Sequence, residues 1–240
     1  PVQIHEGTFP KTARKSLIIS KTRCLYNYKN QKIMCYYTQQ SASIEHLRRR
    51  FNAEIDNEET YLQSDFINGF AHPNIPIILN STPHLITTDY TWGLLPGWAK
   101  DIEFRKNTLN ARIESIDEKA SFQNITHNRC LIIASAYYEW HWNDEKGKSK
   151  DKYQINSQDD EIFTFAGLYS SWTNPVSDEV KNTYTMVTTQ ANELMRYVHN
   201  HKMRMPIMLK RQDEAAWLDQ SVKIEDFAFP YQGNLVAFPV

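Results

Sequence analysis

The chain has 240 residues, 41% hydrophobic and 12% aromatic, enough to bury a full core as one large domain or two small ones. Its 27 basic and 28 acidic side chains leave a net charge of −1, so nothing in the overall balance demands a polyanionic partner and any nucleic-acid contact must be local. The three cysteines, Cys24, Cys35 and Cys130, lie far apart without a C-x-x-C pair, which argues against a zinc knuckle and a disulfide framework and fits a reducing compartment.

Residues 1–33 begin at Pro1 and mix Lys, Asn and Tyr without helical or strand periodicity. They read as an N-terminal extension that lies upstream of the true start or is removed, with 34–240 as one functional domain. The stretch from Lys11 to Ser20 is basic and then briefly apolar, too short for a signal-peptide core. No run approaches the ~18–20 apolar residues of a membrane span, so a cytoplasmic protein without a membrane partner is expected.

At Met34-Cys35 the first methionine of the chain is followed by a cysteine. If translation starts there and the methionine is trimmed, Cys35 carries a free amine and a free thiol on one carbon. Such a 1,2-aminothiol condenses with an aldehyde: the amine forms an imine and the thiol closes on the imine carbon to give a thiazolidine. An α-amine with a pKa of ~7.7–8.0 and a thiol of ~8.5 both supply their nucleophilic forms near neutral pH.

Past Met34, Ser43 can cap a helix whose apolar positions Ile44, Leu47 and Phe51 share one face, with Arg48, Arg49 and Arg50 on the other. Strand-like runs rich in β-branched and aromatic residues follow at 75–79, 85–88, 130–138, 162–169, 184–189, 207–209 and 235–238. Helical patterns are clearest at 191–199 and 213–219, and 143–152 reads as an exposed charged loop. Strands dominate without the regular alternation of a doubly wound sheet, so the chain reads as mixed α and β, rich in strands.

Four segments bear on chemistry. From Trp92 to Asp101 two tryptophans, Trp92 and Trp98, flank a Gly/Pro turn beside Lys100, a grouping that stacks on bases or simply fills a core. Asn110 and Arg112 stand two apart and share one face of an extended strand, where an amide and a guanidinium suit a phosphate, or where Arg112 pairs with Glu114. Glu139 follows an apolar strand and sits among large aromatics, where desolvation would raise its pKa and suit it to acid–base work, unless an arginine pairs it. His199 and His201 lie at a helix end ahead of another strand, the commonest place to look for a proton shuttle at neutral pH, although an exposed histidine is often inert.

Together these segments resemble the SOS-response-associated peptidase (SRAP) family over essentially all of 34–240. The resemblance rests on Met34-Cys35, the Trp-Gly-Leu-Leu-Pro-Gly-Trp-Ala-Lys-Asp run, Asn-Ala-Arg-x-Glu, Tyr-Glu-Trp, Phe-Ala-Gly-Leu-Tyr and Val-His-Asn before Arg-Met-Pro. It implies an α+β fold, a β-rich single domain with strongly curved, barrel-like sheets and flanking helices. It also implies an abasic-site sensor that crosslinks Cys35 to the ring-opened sugar in single-stranded DNA. The site carried over is Cys35, Asn110, Glu139 and His199, with Arg112, Trp92, Trp98, Thr188 and Arg204 on the DNA channel, a monomer, and neither cofactor nor metal. Two positions depart from the family pattern. Tyr36-Tyr37 replace the usual Gly-Arg after the cysteine, and Lys202 and Met203 separate the histidines from Arg-Met-Pro. His199 keeps the Val-His-Asn context, with His201 as the substitute. A cysteine autopeptidase acting on its own N-terminus and a noncatalytic binding module remain the rival readings.

Overall fold

Residues 35–240 are those the computed structural model describes; the expected extension 1–33, Cys24 and Met34 lie outside them. In chain order the elements are β1 (Tyr37–Gln40), α1 (Ile44–Phe51), β2 (Glu54–Ile55), β3 (Ser64–Asn68), β4 (Ile77–Leu79), β5 (Leu85–Thr87), β6 (Thr91–Trp92) and β7 (Asn110–Arg112). Then come β8 (Arg129–Ala134), β9 (Ala136–Trp142), β10 (Lys150–Ser157), β11 (Phe163–Thr173), β12 (Val180–Gln190), α2 (Glu193–Val198), β13 (Arg204–Pro206), β14 (Met208–Leu209), α3 (Arg211–Leu218) and β15 (Leu235–Pro239). The strand-rich fold with few helices is the β-rich α+β class that the family resemblance implies. No helix among the described residues is long and apolar enough to cross a membrane.

Helix α1 forms where its cap and periodicity place it. The Ser43 hydroxyl accepts from the His46 N–H at 3.2 Å, satisfying one of the first-turn donors, and Asn52 ends the helix in the left-handed region at φ 48°. Leu47 is fully buried, with Ile44 and Phe51 packed partly beside it. The three arginines do not share a solvated face as expected. Arg50 turns inward and donates a fork to Glu214 of α3, 3.1 Å from Nη1 and 2.7 Å from Nη2. The Thr164 hydroxyl donates to the same carboxylate at 2.9 Å.

The strands make two sheets. The smaller runs β15-β10-β9-β1-β3; the larger runs β13-β12-β11-β8-β4-β5-β2, with β6 and β7 parallel to β12 and β14 against β11. Alternation assigns the two faces of the larger sheet to different cores. Cys130, Ile132, Phe163, Phe165, Tyr184 and Met186 face the smaller sheet and meet its Tyr137, whereas Leu131, Ile133, Leu168 and Val187 face α1 and α3 with Leu47 and Trp217. Burial on both faces explains why β8 is a continuous apolar run rather than an alternating one.

The expected strand 130–138 is two strands separated by Ser135. The Ser135 N–H donates to the Gln39 carbonyl at 2.9 Å, and its hydroxyl lies 3.0 Å from that of Ser41. The chain there leaves the larger sheet and enters the smaller one, which delivers Glu139 opposite β1. The charged segment 143–152 is a loop over residues 143–149, and only its last three residues belong to a strand. Lys150 onward pairs with β9 from Lys150↔Trp142 to Ile155↔Tyr137, a strand whose polar composition hid it.

Candidate active site at the junction of the sheets

Three buried side chains from separate elements converge between the sheets. Cys35 lies two residues before β1. Glu139 shares the inward face of β9 with Tyr137, two residues away, and His199 caps the C-terminal end of α2. Each is at most 3% exposed. The Cys35 sulfur, a Glu139 carboxyl oxygen and an imidazole nitrogen of His199 all lie within 4.8 Å of one another. His199 Nε2 is 3.8 Å from Glu139 Oε2. Cys35 and Glu139 ride on the smaller sheet; His199, between β12 and β13, and Asn110 on β7 belong to the larger.

The ring of His199 is oriented by the backbone. Its Nδ1 is 2.9 Å from the Arg204 carbonyl, which can only accept, so Nδ1 carries a proton and Nε2 faces the site. Arg204 is itself clamped, donating to Glu114 at 2.7 and 2.9 Å and to the Thr188 carbonyl at 2.8 Å. Burial raises the Glu139 pKa, opposed by His199 and by the hydrogen bond from the Cys35 thiol. Burial likewise raises the Cys35 thiol well above its ordinary value, with the Glu139 charge adding to the rise. Both groups are therefore biased toward their protonated forms, the state from which a carboxyl can donate.

Asn110 donates from Nδ2 to the Cys35 carbonyl at 3.1 Å and so holds the backbone that carries the thiol. Glu139 Oε1, His199 Nε2 and Asn110 Oδ1 are buried polar atoms without a hydrogen-bond partner. Tyr36 points inward against Phe70, ring centroids 4.5 Å apart, and burial pushes its phenol up to about 12 although Asn110 and Arg112 act to lower it. Arg112 is exposed beside this group, so its guanidinium is open to solvent next to the buried cluster. Glu114, weighed as its partner, pairs with Arg204 instead.

The expected channel residues divide. Trp98 is 52% exposed, anchored by its Nε1–H to the Ala120 carbonyl at 3.0 Å and edge-on to Phe104. Trp92, by contrast, is fully buried against Tyr184 and donates to the Leu109 carbonyl at 2.7 Å, so it supports β7 from within the core rather than lining a channel. Thr188 is also fully buried, its hydroxyl directed to the Ala111 carbonyl at 3.3 Å, and Arg204 is nearly so; both hold the site from behind. His201 lies on the outside, stacked on Trp142 at 3.6 Å, where it lines a surface recess of about 470 Å³ that contains neither Cys35 nor Glu139. The role of Glu114 in bracing Arg204, and through it His199, was not read from the sequence; its one visible signal is an acid two residues after Arg112.

The sequence pattern of the SOS response associated peptidase (SRAP) family matches residues 34–240. The chain belongs to the SRAP family. Among its relatives, the abasic site processing protein YoqW of Bacillus subtilis is 37% identical over 147 residues, 61% of this chain and 63% of that protein. The abasic site processing protein YoaM of the same organism is 35% identical over 155 residues, 64% and 66% of the two chains. The abasic site processing protein HMCES of Gallus gallus is 30% identical over 159 residues, 56% and 45%. The aligned part of the chain thus spans less than two thirds of the length of these relatives. A crystal structure of a Bacteroides thetaiotaomicron protein superposes with a TM-score of 0.79 at 30% identity, covering 86% of this chain and 92% of that one. A Bordetella bronchiseptica protein shares the fold at a TM-score of 0.70 and 24% identity, over 86% of this chain and 99% of that one.

Proposed function

We propose that this SRAP protein processes abasic sites in single-stranded DNA by condensing Cys35, freed as the first residue by a start at Met34 and removal of the methionine, with the open-chain aldehyde of the lesion. The observation that carries this reading is the convergence of the Cys35 thiol, the Glu139 carboxyl and the His199 imidazole within 4.8 Å in a buried site. The names of the relatives support the substrate, and the family match that begins at residue 34 supports the start.

The steps follow from the groups present. The Cys35 amine adds to the aldehyde carbon, and the protonated Glu139 gives a proton to the departing oxygen, so one water leaves and an imine forms. The thiol then adds to the imine carbon: a C–S bond forms, the S–H proton passes to Glu139 or His199 Nε2, and the nitrogen regains a proton, closing the thiazolidine. Asn110 keeps the Cys35 backbone in place. Exposed Arg112 holds phosphate and exposed Trp98 stacks on a base, contacts that position without reading sequence. The protein works as a monomer on one strand. The crosslink shields the lesion, and reversal requires Glu139 to return its proton.

The test is the intact mass of two chains mixed with an oligonucleotide bearing one abasic site. A chain trimmed to Cys35 gives a denaturant-stable adduct of one protein and one strand less one water. A chain with residue 34 still attached gives none, because its Cys35 nitrogen is a planar, nonbasic amide. Equal adduct from both, or none from the trimmed chain, overturns the reading. Removal of residues before Cys35 that depends on Glu139 and His199 points to the autopeptidase instead.

A further inference from the structure

We propose that the Cys35 thiolate, the Glu139 carboxylate and His199 Nε2 form a binding site for one thiophilic divalent cation, zinc in particular, and that its occupancy excludes the aldehyde. This departs from the expectation of a chain without a metal. The site itself stands independently of the abasic-site reading; only the exclusion rests on it.

The donor set is one sulfur, one imidazole nitrogen and one carboxylate oxygen. That mixture suits zinc and disfavours magnesium or calcium, which prefer all-oxygen shells. The three donors lie within 4.8 Å of one another, and the nitrogen–oxygen pair is 3.8 Å apart. A tetrahedral zinc ion with bonds of about 2.0–2.3 Å spaces its ligands roughly 3.3–3.7 Å apart, so the nitrogen and oxygen already stand close to one edge and the sulfur needs a shift of about an ångström at most. Three protein ligands with a fourth position left open match the arrangement of zinc sites that exchange a ligand. In the trimmed chain the Cys35 amine fills that position and closes a five-membered chelate with its own thiolate.

Two further observations point to a ligand. His199 Nε2 and Glu139 Oε1 are buried without a hydrogen-bond partner and lie together in one site, whereas the buried Glu214 carboxylate is satisfied by Arg50 and Thr164. The other ring nitrogen donates to the Arg204 carbonyl at 2.9 Å, the outer contact that fixes a metal-binding histidine in the correct tautomer. Glu139 sits on β9 and His199 at the C-terminal end of α2, while Cys35 lies two residues before β1 with its carbonyl held by Asn110 of β7. On binding, the S–H proton and the Glu139 carboxyl proton pass to solvent as the metal–sulfur and metal–oxygen bonds form; no electron is transferred.

The test uses cobalt(II) as a spectroscopic probe and zinc in competition with a chelating dye, first without DNA. One metal per chain is expected, with a thiolate-to-cobalt charge-transfer band. Cys35→Ser removes the band, and His199→Gln and Glu139→Gln each weaken zinc binding by about a hundredfold or more. Cys130→Ser and His201→Ala change neither. The near-isosteric Glu139→Gln, checked by its melting curve, guards against a fold defect. No band, a band that survives Cys35→Ser, or binding lost in His201→Ala overturns the site. With DNA added, zinc should suppress the adduct and a chelator restore it; an undiminished adduct at metal saturation overturns the exclusion. Absence of any adduct from metal-free protein counts against the abasic-site reading and leaves the metal titration unaffected.

Discussion

Two buried polar clusters sit in different parts of this chain, and they are built to opposite rules. Beneath α1 and α3, Arg50, Glu214 and Thr164 satisfy one another: the guanidinium forks onto the carboxylate, Nε reaches the Ile162 carbonyl at 3.4 Å, and the threonine hydroxyl donates to the same acid. Between the sheets, Cys35, Glu139, His199 and Asn110 leave three buried atoms unpartnered. An unsatisfied buried polar atom costs about 1–3 kcal/mol, so a native fold retains several together only where something else is to meet them. The first cluster spends its hydrogen bonds on holding elements together; the second keeps them available to a reactant.

The largest break in this contrast should come from Cys35→Ala in the chain that begins at residue 35. A denaturing gel should show the adduct gone altogether while the melting temperature stays near that of the parent. Next, Glu139→Gln should slow adduct formation by about 10²–10⁴, the usual share of general acid–base catalysis, yet raise stability at neutral pH. The sign follows from burial: the folded carboxyl has the higher pKa, so the folded state binds more protons than the unfolded one above ~4.3 and loses stability as pH rises. Melting curves of parent and variant should therefore converge as pH falls toward that value. A variant that melts lower than the parent at neutral pH would contradict the assignment of Glu139 as an unsatisfied acid.

Arg50→Ala should do the reverse. Stranding the Glu214 carboxylate costs about 3–5 kcal/mol, read as a lower urea midpoint, while the folded fraction crosslinks at the parent rate. Loss of adduct in proportion beyond the unfolded fraction would mean that the two clusters are coupled. The smallest effect belongs to the rim. Arg112→Ala should weaken binding to every single strand about equally and reduce the salt slope by roughly one. A variant that discriminates among sequences would show that Arg112 reads bases.

Local features of the sequence were legible where local physics decides. The Ser43 cap and the spacing of Ile44, Leu47 and Phe51 predict α1, and the apolar run around Ile132 predicts a strand. The reading fails where tertiary context decides. Nothing near Arg50 marks it as the arginine that turns inward, since Glu214 lies 164 residues away. Trp92 and Trp98 are the same residue type in one turn-rich segment, yet one is core and the other 52% exposed. β10 is polar because its neighbours in the sheet, rather than its own composition, make it a strand. The candidate site residues came from spacing within separate motifs and from family resemblance. Their meeting within 4.8 Å depends on the crossing at Ser135, which no local pattern announces.

The division of the cluster between two sheets has a mechanical consequence. The thiol and the acid travel with one layer, the imidazole and the amide with the other, so the distance between reacting groups measures how the layers are seated. A slip of about 1 Å can cost roughly a hundredfold in rate. The seating is set in the apolar interior, where Tyr137 of the smaller sheet meets Phe165 of the larger edge-on at 5.6 Å. The rings at that interface act as the bearing on which the chemistry is aligned, and a change of side-chain volume there would detune the site without touching any group that reacts.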